Sequence, residues 1–399
     1  MTDNDGAHVG ARIAYYRKRR GLLQQGLAMR ANVSKSLLSK VECGQRPASK
    51  ALIAACARAL NVTPADLLGQ PYADELNRAG LEVVIQPLRI AMENWDVPLD
   101  WETRPRPVAL IRSDVDQALE QRRQAKYLEM AQSLPGLMDE CVHAVHTTTG
   151  EERRIAYECL AGTYRCVFTL AWALGYLDLA TVAVGRLAWA APLADEPAFA
   201  ALHAYIRSQT NMGSGRYDLG MRVVDRALRD LDRVDSRRPV GLQAMRGMLH
   251  LRAAEIAGRA ADPDLAEVRL AEAGGIARQT GEVPDWGMTF GPTNVGVHGV
   301  AIAVDLYEFG QAVDRAQDVR IPRGWTKSRA GHHWMDLAKA HAWAGDAAAA
   351  LDCLARARRA APQLMRYHPT TRETVVHLRK QERVRSGPLA DLAGWIGLP

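Results

Sequence analysis

In the stretch "NVSKSLLSKVECGQRP", residues 32–47, Lys35, Ser36, Ser39 and Lys40 gather on one side, while Leu37, Leu38 and Val41 supply an apolar side. Ammonium and hydroxyl groups at helical spacing can meet the edges of nucleic-acid bases, Lys donating to guanine O6 and N7 and Ser serving either base type. An ordinary solvated helix shows the same amphipathic pattern. The neighbouring segments have to decide between the two.

Those neighbours are short helices. "VGARIAYYRKRRG" spaces Val9, Ile13 and Tyr16 at helical intervals and ends at Gly21, a natural C-terminal cap. "QQGLAMRA" gives barely two turns, and Ser34 is placed to N-cap the stretch above. After Pro47, "SKALIAACARALN" repeats apolar residues helically, and "VTPADLL" starts a last helix with Pro64 in its first turn.

The charge distribution agrees with a nucleic-acid partner. Residues 1–70 hold eleven Lys or Arg against Asp3, Asp5, Glu42 and Asp66, a net of +7. Of the chain's 51 basic and 45 acidic residues, 40 and 41 are left for the other 329 positions, a net of −1. A small basic head on a neutral body is an electrostatic footprint for DNA or RNA. At 399 residues the chain exceeds one compact core, so two or more domains or an extended array are expected. A run of about 18 apolar residues is absent, and the polar start "MTDNDGAH" lacks the pattern of a secretory signal, so a cytoplasmic protein without membrane contact is expected. Six scattered cysteines without a C-x-x-C pair suggest reduced, mostly buried thiols. Abundant Arg and Ala with scarce Lys suggest a GC-rich bacterial genome.

Residues 12–68, "RIAYYRKRRGLLQQGLAMRANVSKSLLSKVECGQRPASKALIAACARALNVTPADLL", resemble the XRE family of helix-turn-helix domains through Gln24, Leu27-Ala28, Val33-Ser34, the Glu42-x-Gly44 stop and Arg46-Pro47. The resemblance implies that residues 34–42 are the recognition helix, whose N-terminal side enters the major groove. Lys35, Ser36 and Lys40 would then reach base edges, with Ser39 beside them, and Gln24 and Arg46 would hold phosphates. It also implies a pair between Arg17 and Glu42, favoured over the alternative that Arg17 serves a phosphate because Glu42 would otherwise be an unpartnered acid in a basic head. Two departures from the family are Leu23, where Ser or Thr usually caps the second helix, and Gly26. Each weakens that helix by roughly 1 kcal/mol.

Residues 71–115 carry Pro98, Pro105 and Pro107 with Trp95 and Trp101 and suggest an irregular connector packed on the body. Residues 116–399 are expected to be helical repeats. "WMDLAKAHAWAGDAAAALDCLARARRAAP" resembles a tetratricopeptide motif, with His341 where Tyr is usual. Aligning the small residue that begins each second helix gives Ala180, Gly220, Ala266, Ala312 and Ala350, spaced by 40, 46, 46 and 38 residues. The expected fold is thus all-α: a five-helix XRE-type domain over 1–70, then a tetratricopeptide-like α-solenoid.

That register assigns a groove-facing set to the first helix of each pair. It comprises Arg165 and Trp172; Tyr205 and Gln209; Arg252 and Glu255; Asn294 and His298; and His332, Lys339 and Trp343. Convergent polar groups among aromatics suit an orienting pocket. The alternative is that Asn294 caps its own helix and His298 bonds to a neighbouring loop. His143 with His146, and His332 with His333, lack companion ligands for a metal, and "GSGR" at 213–216 lacks the P-loop's terminal Lys and Ser/Thr. Neither a cofactor nor catalysis is expected. The whole chain resembles bacterial XRE regulators with tetratricopeptide-like C-terminal halves. This implies a sequence-specific transcriptional regulator that binds an operator as a homodimer and answers to a small-molecule or peptide effector. The alternative is a DNA-tethered scaffold whose body recruits a protein partner.

Overall fold

The computed structural model describes residues 8–72, 80–98, 101–194, 196–234, 240–284, 288–381 and 387–398. Among them there are helices and one isolated β-bridge, Val283 with Phe290, but no strand. The head contains α1 (Val9–Arg19), α2 (Gln24–Arg30), α3 (Lys35–Glu42), α4 (Lys50–Leu60) and α5 (Pro64–Leu68). Its own core is built from Val9, Ile13, Leu27, Leu38, Val41, Leu52, Leu60 and Leu67. Ser34 caps α3 by accepting from Leu37 N at 3.1 Å. Leu23 occupies the N-cap of α2 without a side-chain bond and is 79% exposed, so that helix starts with its first amides unsatisfied by a cap.

Arg17 grips Glu42 with both sides of its guanidinium, Nε to Oε1 at 2.7 Å and Nη2 to Oε2 at 2.8 Å, and donates Nη1 to Leu22 O at 2.8 Å. Gln24 adds its amide to Glu42 Oε2 at 2.8 Å. One carboxylate therefore ties α1, α2 and the end of α3 together. The hydrogen bond to Glu42, against the opposing cost of burial, raises the pKa of Arg17 above its ordinary value.

The region expected to be an irregular connector contains a helix, α6 (Glu82–Glu93). Residues 73–79 and 99–100 of that region lie outside the described residues. Leu81, Ile85, Leu88 and Met92 form a buried stripe at helical spacing, and this outweighs Pro87 within the helix. Pro98, Pro105 and Pro107 all fall between helices.

After α7 (Val108–Arg123) and α8 (Tyr127–Thr147) come five antiparallel hairpins. They are α9 (Gly150–Leu174) with α10 (Leu177–Leu193), α11 (Pro197–Gly213) with α12 (Tyr217–Asp232), α13 (Val240–Arg259) with α14 (Pro263–Thr280), α15 (Pro292–Asp305) with α16 (Phe309–Gln317), and α17 (Lys327–Ala344) with α18 (Ala347–Ala360). Ala180, Gly220, Ala266, Ala312 and Ala350 are each buried at the fourth position of the second helix. First helices pack on first helices from α11 through α17. α19 (Pro362–Tyr367), α20 (Pro369–Gln381) and α21 (Gly387–Trp395) complete the chain. The array curls until its ends meet, with α17 against α7 and Leu128 N donating to Gln363 Oε1 at 2.9 Å.

Glu42→Ala should leave a buried guanidinium without its counter-ion, costing on the order of 3 kcal/mol. Amide exchange in α1 and α3 of the full-length protein should then accelerate roughly a hundredfold. Unchanged exchange would show that Glu42 does not hold the head together.

Candidate recognition face and central cavity

On the head, Lys35, Ser36 and Lys40 are exposed and Ser39 is half-buried, so α3 turns its polar side to solvent over the core residues Leu38 and Val41. Arg46 is also exposed, with its guanidinium 5.1 Å from the centre of the Tyr307 ring. That contact belongs to the seam between head and body. Gln24, half-buried, spends an amide donor on Glu42 rather than lying free beside α3.

A cavity of about 420 Å³ lies inside the curled array. Its wall repeats with the hairpins. Thr169, Gln209, Glu255, Ala301 and Lys339, each eleven residues before the small anchor of its hairpin, all line it. So do Ala173, Gly213, Arg259, Asp305 and Trp343, each seven before the anchor. Of the groove-facing set inferred from sequence, the structure brings Arg165, Trp172, Tyr205, Gln209, Arg252, Glu255, His332, Lys339 and Trp343 to this one cavity.

Asn294 and His298 are not in the wall. α15 lines it with Val297, Ala301 and Asp305, where α13 presents Arg252, Glu255 and Arg259. Asn294 is fully buried, donating to Thr289 O at 2.8 Å and accepting from Arg329 Nε at 3.0 Å. His298 Nδ1 stands 3.0 Å from Glu255 Oε1. Both residues therefore position side chains that do reach the cavity, Arg329 and Glu255. Burial, then Arg329, lowers the His298 pKa to about 4, so the ring is neutral at pH 7. Glu255 resists the opposing effect of its own burial because Arg252 and His298 hold it well below the usual carboxylate range.

The head lines the cavity at the ends of the hairpins. Ile53, Pro64, Ala65 and Leu68 form an apolar roof, and sequence periodicity within the head gives no sign of this second role. Lys50 Nζ reaches Asp305 Oδ1 at 3.0 Å, and Arg259 Nε reaches Asp305 Oδ2 at 3.0 Å. Val9 N donates to Glu373 Oε1 at 2.9 Å, and Tyr307 Oη donates to Pro47 O at 3.0 Å. Two hairpin turns receive the head at glycines with left-handed backbone. A Cβ on Gly175 (φ +89°) would lie 2.5 Å from the Gln70 side chain, and one on Gly215 (φ +69°) would lie 2.2 Å from Arg58 Nη1 and 2.7 Å from Ala54 Cβ.

Among the described residues no group of His, Cys, Asp and Glu could hold a metal ion, and no helix is long and apolar enough to cross a membrane. The ring of Trp101 packs edge-on against His143 and His146, and His332 lies beside His368.

A family model described as a helix-turn-helix domain matches residues 8–68, the span of α1 to α5. Neither a curated protein nor a solved structure matches the chain. The head thus belongs to the helix-turn-helix class, a DNA-binding domain joined to an all-helical body.

Gly215→Ala should add about 1 kcal/mol of backbone strain and push the head off its seat. The radius of gyration from small-angle scattering should rise, and an unchanged value would mean that the seam absorbs the methyl group. His298 is predicted to make stability acid-sensitive. Its folded pKa of about 4 lies below the unfolded value near 6.5, so stability is complete above pH 6.5 and is lost as the pH falls toward 4. At pH 5 the loss is on the order of 2 kcal/mol. The raised pKa values of half-buried Asp336 and Glu373 act in the opposite direction. Comparing melting temperatures at pH 7.5 and 5 therefore isolates the ring: His298→Gln should lose less than the unaltered protein, and an equal loss would place the acid sensitivity elsewhere.

Proposed function

We propose that the protein is a transcriptional regulator of the XRE type whose tetratricopeptide-like body senses a ligand in the central cavity. The observation that carries this reading is the shared wall, because the domain that binds DNA is also the roof over the cavity. A ligand that contacts Ile53 or Leu68 changes the free energy of the docked head, and by linkage the pose of the head changes ligand affinity equally. Lys50, Asp305 and Arg259 lie at that same boundary, where ligand and head compete for one set of charges.

On DNA, Lys35, Ser36 and Lys40 supply base contacts from the exposed side of α3, and Arg46 holds phosphate beside them. One head offers few contacts for strong specificity, so two copies acting on half-sites one helical turn apart support a homodimer. The alternative is a DNA-tethered scaffold whose body recruits a protein partner, which would have to share the groove with the head residues Ile53, Pro64, Ala65 and Leu68. No catalytic step is assigned to the cavity.

Lys40→Ala should weaken binding to a selected operator by about 1–3 kcal/mol while leaving random-sequence DNA nearly unaffected. Gel shifts with both DNAs at fixed salt measure the difference. Equal losses on both would make Lys40 a phosphate contact. Failure of the full-length protein to shift any fragment at low salt would remove the DNA-binding reading itself.

A further inference from the structure

Most of the charged side chains that line the cavity are already engaged. Asp305 takes Lys50 and Arg259, each at 3.0 Å, and Glu255 takes Arg252 Nη1 at 2.6 Å and stands 3.0 Å from His298 Nδ1. Arg123 donates to Glu120, Arg329 donates to Asn294 Oδ1, and Glu373 Oε1 accepts from Val9 N. Arg122 and Arg165 have partners as well. Asp336 and Lys339 remain, both on α17 and both in the wall. Among the described residues neither makes a hydrogen bond or an ion pair.

Three residues apart on one helix, this carboxylate and this ammonium are neighbours on a single face. Both side chains are half-buried, and burial pushes the Asp336 carboxyl above its ordinary value and the Lys339 ammonium below its own. The charge that acts most on Asp336 is that of Lys50, and on Lys339 that of Asp305, but those two already hold each other. His332, one turn before Asp336, is driven neutral by burial and adds no counter-charge. Each of the two is therefore charged at a cost that an opposite charge inside the cavity would lower. The wall also offers flat apolar surface. Trp343, four residues beyond Lys339, stacks on His377 with ring centres 3.5 Å apart and planes 24° from parallel. Phe168 and Trp172 form a second stack, 5.8 Å apart and 26° from parallel. A volume of about 420 Å³ suits a small organic molecule.

We propose that the cavity takes a free aromatic amino acid, its carboxylate on Lys339, its ammonium on Asp336 and its ring against the aromatic wall. The α-amino acid head carries an ammonium and a carboxylate on one carbon, which suits two opposite charges on neighbouring turns of one helix. Each contact is a charge-assisted hydrogen bond, and the ring is covered by aromatic faces. A ligand with one charge satisfies one of the two groups and leaves the other as it is. This assignment deepens, and rests on, the reading of the cavity as an effector site.

The test titrates probes with one ring system into the full-length protein by isothermal calorimetry: L-tryptophan; tryptamine, which lacks the carboxylate; indole-3-propionate, which lacks the ammonium; and uncharged 3-methylindole. Tryptophan should bind with one molecule per chain and at least about tenfold more tightly than either singly charged probe, the value of one charge-assisted contact. Asp336→Asn should erase the advantage over indole-3-propionate and keep the advantage over tryptamine. Lys339→Gln should do the reverse, with circular dichroism melts confirming that both variants fold. A merely structural role for the two residues would weaken every probe alike. Any probe that equals tryptophan in the unaltered protein, or variants that lack this crossed pattern, would overturn the amino-acid assignment and leave an effector site of other chemistry standing. Absence of binding by all the probes would overturn the effector-site reading as well.

Discussion

The five hairpins approach most closely where Ala180, Gly220, Ala266, Ala312 and Ala350 sit, and the rest of the body follows from that steric limit. Two helices reach this separation only when one offers little more than a Cβ at the crossing. Once the crossing is fixed, the rotation of each first helix is nearly fixed too, which is why residues eleven and seven before the anchor line the cavity in every hairpin. Polar groups that would otherwise scatter over the surface are gathered on one inner wall. The contact of α17 with α7 then brings the ends of that groove together.

The seam between head and body uses charge for position more than for strength. Asp305 is buried, and Lys50 and Arg259 hold its carboxylate below the ordinary range in spite of that burial. Ion pairs taken out of water add little net stability because desolvation offsets attraction, yet their geometry admits few alternatives. Apolar residues of α4 and α5 make the seam adhesive, while Lys50 and the glycine turns set where the head rests. Arg46 belongs to both descriptions, lying just past α3 and over the Tyr307 ring at once.

The head was legible in the sequence because each of its helices carries a local signal, such as Ser34 as a cap, Pro64 at a first turn and apolar spacing within each short segment. The hairpin register was legible for a similar reason, since small residues recur at the crossing. The anchors fix which turns face inward but not which side chains at the edge of that face find partners outside the cavity, so the register counts Asn294 and His298 into the groove, whereas they engage Thr289, Arg329 and Glu255. The helix at Glu82–Glu93 was hidden by an excess of prolines around it, although Leu81, Ile85, Leu88 and Met92 carried the spacing. The docking of the head left no sequence pattern, because contacts such as Val9 with Glu373 depend on how the array curls.

The bond from Val9 N to Glu373 Oε1 joins residues 364 positions apart. On the ribosome, the head has its own core and can fold as soon as it emerges, but the surface that seats it is finished only when α20 appears. Throughout that interval Ile53, Ala65 and Leu68 face water. The nascent chain thus displays a sticky apolar patch on a basic helix-turn-helix domain for most of its synthesis, a state open to chaperones and to premature contact with nucleic acid. Completion of the last hairpins covers the patch, so order of synthesis sets when the DNA-binding domain first meets its body.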